Sequence, residues 1–281
     1  MNIADHTDKL RKYMEFRNYS KNSVDNYCSN FTGFLAHFEK LGVTHPDRIS
    51  SEMVISFLSR FKEPSTHSGY QSAIKIYYEK IARVGIEKFK YIERPKKNKK
   101  LPIVLSVDEI QRMFNVCQNI KHKIILALLY SCSLRVSELI NLKWVHIDRS
   151  RMIINIIQAK GNKDRQVGLN EPLIKLLAEY YQEYKPQFYV LNGQGDAAQY
   201  SERSVGEVIK QLANKAGIGN KRVYTHLIRH TSATHMVEQG VDINLIQKLL
   251  GHSSVKTTNV YLHISHNHIS KINSPLNNIK L

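Results

Sequence analysis

Apolar side chains recur at steps of three and four through the first ninety residues, and the rhythm changes beyond residue 103. Val24, Tyr27, Phe31, Phe34, Leu35, Phe38 and Leu41 fall on one helical face, and Gly42 follows as a stop. A shorter helical pattern covers residues 8–16. A third follows Ser51 through Met53, Phe57, Leu58 and Phe61, and halts before Pro64. The fourth places Tyr70, Ala73, Ile74, Tyr77, Tyr78 and Ile81 on one face and is closed by Gly85. Residues 1–93 therefore read as a small all-α domain.

The pattern after residue 103 is mixed. Ser106 and Glu109 have capping-box spacing and open a helix with Ile110, Met113 and Phe114 inward. An apolar helix follows over about 123–130. A short one over 136–142 buries Leu139 and Leu142 and leaves Arg135 and Glu138 together at its start. Residues 151–158 and 165–169 are β-type, and the turn-rich residues 159–164 between them signal a hairpin with Lys160 at the end of its first strand. A helix after Pro172 carries Leu173, Leu176, Leu177, Tyr180 and Tyr184. Residues 187–201 read as loop, and a helix over 205–216 closes at Gly217. Thr225 is expected to cap a helix over 226–239, and Asp242 the next, which ends at Gly251. The expected fold is mainly α with a small antiparallel β-sheet: an α-helical front domain, then a mixed α/β domain.

Charge then narrows the function. The 281 residues carry a formal net charge of +17, which favours a polyanionic partner, nucleic acid or an anionic membrane. No apolar run reaches the ~18 residues needed to span a bilayer. The first residues lack the apolar core of a signal peptide. Cys28, Cys117 and Cys132 are widely spaced in apolar patterns, so disulfides and a zinc cluster are not expected, and a reducing cytoplasm fits. Nucleic acid is the better partner. Residues 94–102 form a basic linker, with Arg94, Lys96, Lys97, Lys99 and Lys100 around Pro95, suited to lying along a DNA backbone. Gly193 and Gly195 lack the third glycine of a nucleotide loop.

The chemistry concentrates in residues 226–261, which hold His226, Arg229, His252 and Tyr261. His226 and Arg229 are three apart and share a face near a helix N-terminus, where phosphate is attracted. A phosphodiester under attack develops charge on its non-bridging oxygens, and arginine forks match that geometry. A tyrosine hydroxyl can attack, but its pKa near 10 demands cations or a base. The leaving oxygen needs a proton, which a histidine or lysine supplies. His226, His230 and His235 lack the glutamate of a metal-binding helix motif. Spacing alone indicates a phosphate site and does not single out Tyr261 from an ordinary tyrosine.

These residues resemble the tyrosine recombinase (phage integrase, Xer-like) family. Its second arginine box matches His226-Leu227-Ile228-Arg229-His230. The downstream box matches Leu249-Leu250-Gly251-His252-Ser253, then Thr257-Thr258, Tyr261 and His263. Leu134-Arg135-Val136-Ser137-Glu138-Leu139 is similar to the first arginine box, and Lys160 to the hairpin lysine. The motifs come in family order over residues 103–265, behind helices similar to the family's SAM-like core-binding domain.

The resemblance implies domains at 1–93 (core-binding, DNA-binding) and 103–281 (catalytic). It implies site-specific recombination of double-stranded DNA through a 3′-phosphotyrosine. Tyr261 would be the nucleophile, and Arg135 and Arg229 would clamp the phosphate. Lys160 would protonate the leaving oxygen, His226 would act as acid–base toward the tyrosine, His252 would bond the phosphate and Glu138 would support the first arginine. Neither ATP nor a catalytic metal is required. A homotetramer on two sites is implied, with residues 264–281 as a docking segment and a second recombinase or accessory protein as further partners. Two residues depart from the pattern. Ser133 stands where the family usually has glycine, so a positive φ there would strain it, and Ile228 replaces leucine. A type IB topoisomerase and a non-catalytic DNA-binding regulator are the alternatives; the spacing from Leu249 to Tyr261 and the intact set of six groups count against them.

Overall fold

A computed structural model describes residues 1–83, 92, 103–157, 164–193, 198–252 and 254–264. The chain divides into two compact units, Met1–Lys99 and Lys100–Leu281. The basic linker, the hairpin turn with Lys160, and the proposed docking segment beyond residue 264 lie outside the described residues.

Among the described residues, the first unit contains four α-helices, α1 (Ile3–Phe16), α2 (Lys21–Lys40), α3 (Ser51–Ser59) and α4 (Pro64–Ile76), the last running into a π-helical turn at Tyr77–Ala82. Helix α1 starts ahead of its apolar spacing, because the Asn2 side chain accepts from the Asp5 N–H and a Lys9–Asp5 ion pair of 2.7 Å extends the first turns. Ser20 and Ser50 cap α2 and α3 in the same way. Pro64 opens α4 rather than merely bounding α3, since a first-turn residue has no helical acceptor for an N–H. The core is aromatic: Phe31 stacks on Tyr77 at 4.3 Å, and Phe34 meets Phe57 edge-on at 5.2 Å. Two buried phenols find acceptors. The Tyr78 hydroxyl donates to the Pro46 carbonyl (2.8 Å), and the Tyr77 hydroxyl meets His6 Nδ1 at 2.5 Å.

The second unit is organised around one very apolar helix. It contains α5 (Val107–Asn115), α6 (Ile120–Ser131), α7 (Val136–Ile140), β1 (Ile147–Asp148), β2 (Ile153–Ile156), β3 (Arg165–Gly168), α8 (Glu171–Tyr184) and α9 (Glu202–Lys215). After these come α10 (Thr225–Glu238), α11 (Ile243–Leu250), α12 (Val255–Thr258) and α13 (Val260–Ile264). Every residue of α6 from Ile124 to Leu129 is buried, so the helix is covered on all sides, with α8 and α10 among its neighbours. The expected capping box forms: Ser106 Oγ accepts from the Glu109 N–H, and Glu109 accepts from the Ser106 N–H (2.7 Å). The two expected strands pair antiparallel with Ile154 opposite Val167 and Ile156 opposite Arg165. A third strand, β1, completes the order β1-β2-β3; with two residues it is too short to leave an alternating pattern.

Helix α10 corrects one cap assignment. Thr225 is the first helical residue, Tyr224 precedes it, and no side chain caps the end. Asp242 does cap α11, accepting from Asn244 and Leu245 N–H groups, and Gly251 ends it with φ +60°. These two ends set the exits from which the Arg229 and His252 segments start.

The turn between α6 and α7 carries strain at the expected place. Ser133 is fully buried with φ +48°, in the left-handed region that glycine occupies freely. Its hydroxyl lies 2.7 Å from that of Ser232, which gives the serine a partner. Ser133→Gly and Ser133→Ala both remove that bond, but only glycine relieves the backbone. Urea denaturation should therefore find Ser133→Gly the more stable by about 0.5–1 kcal/mol. Equal stabilities, or alanine ahead, would contradict the strain.

Candidate active site

One buried carboxylate assembles the site. Glu138, in the first turn of α7, accepts from the Arg135 N–H (2.8 Å) and from Arg135 Nη1 (2.6 Å). From the first residue of β3, Arg165 delivers a two-pronged grip, Nη1 to Oε1 at 2.6 Å and Nη2 to Oε2 at 2.7 Å. Arg229 Nη1 stands 3.8 Å from Oε2. The Glu138 side chain is 5% exposed and those of Arg165 and Arg229 are 7% and 5% exposed, so this charge cluster is inside the protein. Burial alone would raise the Glu138 pKa, but the Arg165 hydrogen bonds and charge, then Arg135, outweigh it and hold the group at about 2.

The arginines are fixed at their other ends by backbone carbonyls at the α11 terminus. Arg165 Nε donates to Leu249 O (2.7 Å), Arg135 Nη2 to Gly251 O (3.2 Å), and Arg229 Nη2 to Leu250 O. Arg229 Nη1 also donates to Ser133 O at 2.6 Å, so the strained turn supplies an acceptor to the site. Burial, then the Arg135 charge, lowers the Arg229 pKa to about 10, which leaves it charged at neutral pH. Gly251 is hemmed in as well as left-handed: an added Cβ would stand 3.0 Å from Arg165 Cδ. Three guanidiniums face one carboxylate, leaving two positive charges uncompensated within the cluster, which is an anion site.

His252 follows Gly251, with Nδ1 3.0 Å from the Thr258 hydroxyl. Burial, then Arg229 and Arg135, lowers its pKa to about 4, so the ring is neutral at pH 7. Tyr261, in α13, is 1% exposed and packs with Ala233, Val237, Ile246 and Leu250. Its ring lies near parallel to that of His252, with centroids 6.5 Å apart. Burial raises its pKa, while Arg229 and Arg135 pull it back down. The hydroxyl meets His230 Nδ1 at 2.8 Å.

Arg135, Glu138, Arg229, His252 and Tyr261, all singled out in the sequence, thus come together. Lys160 lies outside the described residues. His226 is exposed near the start of α10, its ring 6.2 Å from that of His230, and it is His230 that meets the tyrosine. His235 is a core group: Nδ1 meets the Tyr130 hydroxyl (2.8 Å) and Nε2 the Leu105 carbonyl (3.0 Å). Residue-by-residue reading missed Arg165 and His230. Arg165 shares a strand face with buried Val167, and a charge on the core face of a strand requires a partner. His230 lies one turn from His226 inside the same motif.

Comparison with known proteins identifies the family. Residues 104–268 match the phage integrase family, and residues 7–87 match the phage integrase N-terminal SAM-like domain. The tyrosine recombinase XerA of Pyrococcus horikoshii is 31% identical over 277 residues, covering 95% of this chain and 91% of that one. The fold is similar to that of the XerH site-specific recombinase bound to a palindromic difH substrate, with TM-score 0.76, 20% identity, and coverage of 94% of this chain and 83% of that one. It is also similar to a lambda integrase tetramer bound to a Holliday junction, with TM-score 0.75, 14% identity, and coverage of 92% and 76%.

The Glu138 pKa has a consequence for stability. Because it is held near 2 against an ordinary 4.5, its stabilising contribution is present above pH 4.5 and fades as pH falls toward 2. The unfolding free energies of wild type and Glu138→Gln should differ most above pH 5, and the gap should narrow by about 2–3 kcal/mol toward pH 2. A gap independent of pH would refute the charged, paired carboxylate. Family match, homology over nearly the whole chain and the buried arginine cluster lead to one conclusion: the chain belongs to the phage integrase family and is a site-specific tyrosine recombinase.

Proposed function

We propose that the chain cleaves and rejoins double-stranded DNA at specific recombination sites through a 3′-phosphotyrosine on Tyr261. The observation that carries this reading is the cluster of Arg135, Arg165 and Arg229 around the single carboxylate of Glu138, with Tyr261 within the electrostatic reach of Arg229 and Arg135. Arg135 and Arg229 bind the non-bridging oxygens and stabilise the charge that grows on them during attack. Glu138 holds Arg135 in place. The neutral His252 ring, whose Nδ1 lies 3.0 Å from the Thr258 hydroxyl, donates from Nε2 to the phosphate. Lys160 protonates the leaving 5′ oxygen, and His226 serves the acid–base traffic of the tyrosine. Bond energy is kept in the phosphotyrosine, so resealing needs neither ATP nor metal.

Residues 1–93 are the core-binding domain, residues 103–281 the catalytic domain, and the basic linker over 94–102 joins them along the DNA. The assembly is a homotetramer on two sites, with residues 264–281 as the docking segment, and a second recombinase or an accessory protein can join it. The setting is the cytoplasm. The net charge of +17 supports the DNA partner, and no described helix is long and apolar enough to cross a membrane.

The test is a nicked suicide DNA, which traps the covalent adduct because the nicked strand escapes. Tyr261→Phe should abolish the adduct while keeping DNA affinity within a few-fold of wild type. An adduct that persists in that variant would sink the nucleophile assignment.

A further inference from the structure

A buried tyrosine attacks phosphate only if its proton has somewhere to go. Tyr261 is almost wholly enclosed, and its burial favours the neutral phenol over the phenolate. Arg229 and Arg135 offset this in part. The remaining requirement is an acceptor on the hydroxyl itself, within about 2.6–3.2 Å. His230 Nδ1 meets that requirement at 2.8 Å.

The placement of His230 suits the task. It sits on α10 beside Arg229, one turn after His226, and its ring is tilted at 48° to that of Tyr261 with centroids 5.7 Å apart. The charged and titratable groups interacting with it are His226 and Arg229 from its own helix, His252 from the turn after α11, and Tyr261 from α13. Burial, then His226 and Arg229, lowers its pKa, so the ring is neutral and can accept at physiological pH. Burial and the fixed charge of Arg229 both disfavour the protonated ring. A phosphodiester seated on Arg135 and Arg229 brings negative charge that offsets that of Arg229, which raises the proton affinity of His230 when the substrate arrives.

We propose that His230 is a catalytic base, taking the phenolic proton of Tyr261 during attack and returning it on resealing. This rests on Tyr261 being the nucleophile. As the bond from Tyr261 Oη to phosphorus forms and the bond from phosphorus to the 5′ oxygen breaks, the proton passes from Oη to Nδ1. His230 then becomes an imidazolium that keeps its hydrogen on Nε2. The 5′ oxygen leaves as a hydroxyl after receiving a proton from a separate general acid, the part given to Lys160. On resealing, a 5′-hydroxyl attacks and gives its proton to the conjugate base of that same general acid, the bond from phosphorus to Oη breaks, and the imidazolium returns its proton to Tyr261. His226, exposed with its ring 6.2 Å from that of His230, serves the acid–base traffic of the tyrosine through His230 rather than by direct contact.

The test uses two suicide DNAs, one ordinary and one with sulfur in place of the bridging 5′ oxygen. A thiolate leaves without a proton, so the second substrate isolates activation of the nucleophile. Single-turnover adduct formation is followed from pH 5.5 to 9.5 in wild type, His230→Asn, His230→Ala and Tyr261→Phe, with DNA affinity measured alongside. On both substrates His230→Asn should be slower at pH 7 by about 10²–10⁴-fold, with affinity kept. Its rate should climb about tenfold per pH unit across the neutral range, where the wild-type rate is already level because the His230 ring is neutral there. Added imidazole should restore His230→Ala in proportion to the neutral imidazole, which a merely structural role would not give. A His230→Asn rate on the sulfur substrate within threefold of wild type, or a pH profile unchanged in shape, would overturn the assignment. So would a His230→Ala variant that binds DNA and is untouched by imidazole. Loss of the adduct in His230→Asn but not in Tyr261→Phe would instead overturn the nucleophile reading itself.

Discussion

The second unit depends on a single buried carboxylate that must be charged. Glu138 lies in a protein interior that penalises ionisation, and it is ionised because Arg165 grips both of its oxygens and Arg135 adds two more hydrogen bonds. The dependence runs both ways, since three guanidiniums this close would repel one another without an anion among them. A buried ion network of this kind adds little to net stability. What it supplies is geometry: arginines held in place with positive charge left over.

That geometry is built from elements far apart in sequence. The first turn of α7, the first residue of β3, the middle of α10 and the terminus of α11 each contribute one side chain or carbonyl. Gly251 is left-handed and close to Arg165, so the α11 terminus can present its last carbonyls to all three arginines. Ser133 has a strained backbone and still supplies an acceptor for Arg229. The cost of that strain, about 1–2 kcal/mol, is small beside the loss of a buried charge's partner. Local strain and core packing both serve the placement of two guanidiniums.

Much of this was legible before any coordinates. Helical periodicity located the four described α-helices of the first unit, because their apolar faces are one-sided. The capping signals at Ser106 and Asp242 worked because a side-chain acceptor near free N–H groups is a local matter. Thr225 failed as a cap because the helix begins one residue earlier, a boundary that propensity does not fix. Arg135, Arg229, His252 and Tyr261 were identified by motif, yet the motif says nothing of the contacts that make them work. Arg165 went unnoticed because its partner lies 27 positions away and strand pairing brings them together. His230 was read as the last residue of the second arginine box and as part of a possible metal spacing, with no role of its own; its pairing with Tyr261 spans 31 positions and requires α13 to fold back on α10.

On the proposed reading, the Glu138 charge, rather than its shape, keeps Arg135 and Arg229 in place for the phosphate. Replacing it by glutamine keeps size and shape while removing the charge and turning one acceptor oxygen into an amide donor. The most direct measurement is the single-turnover rate of adduct formation for Glu138→Gln on a nicked suicide DNA, with DNA affinity read in parallel. A loss of about 10²-fold or more, with affinity held within a few-fold, is the expected outcome, on the scale of losing one aligned oxyanion donor. A rate within threefold of wild type would contradict the account.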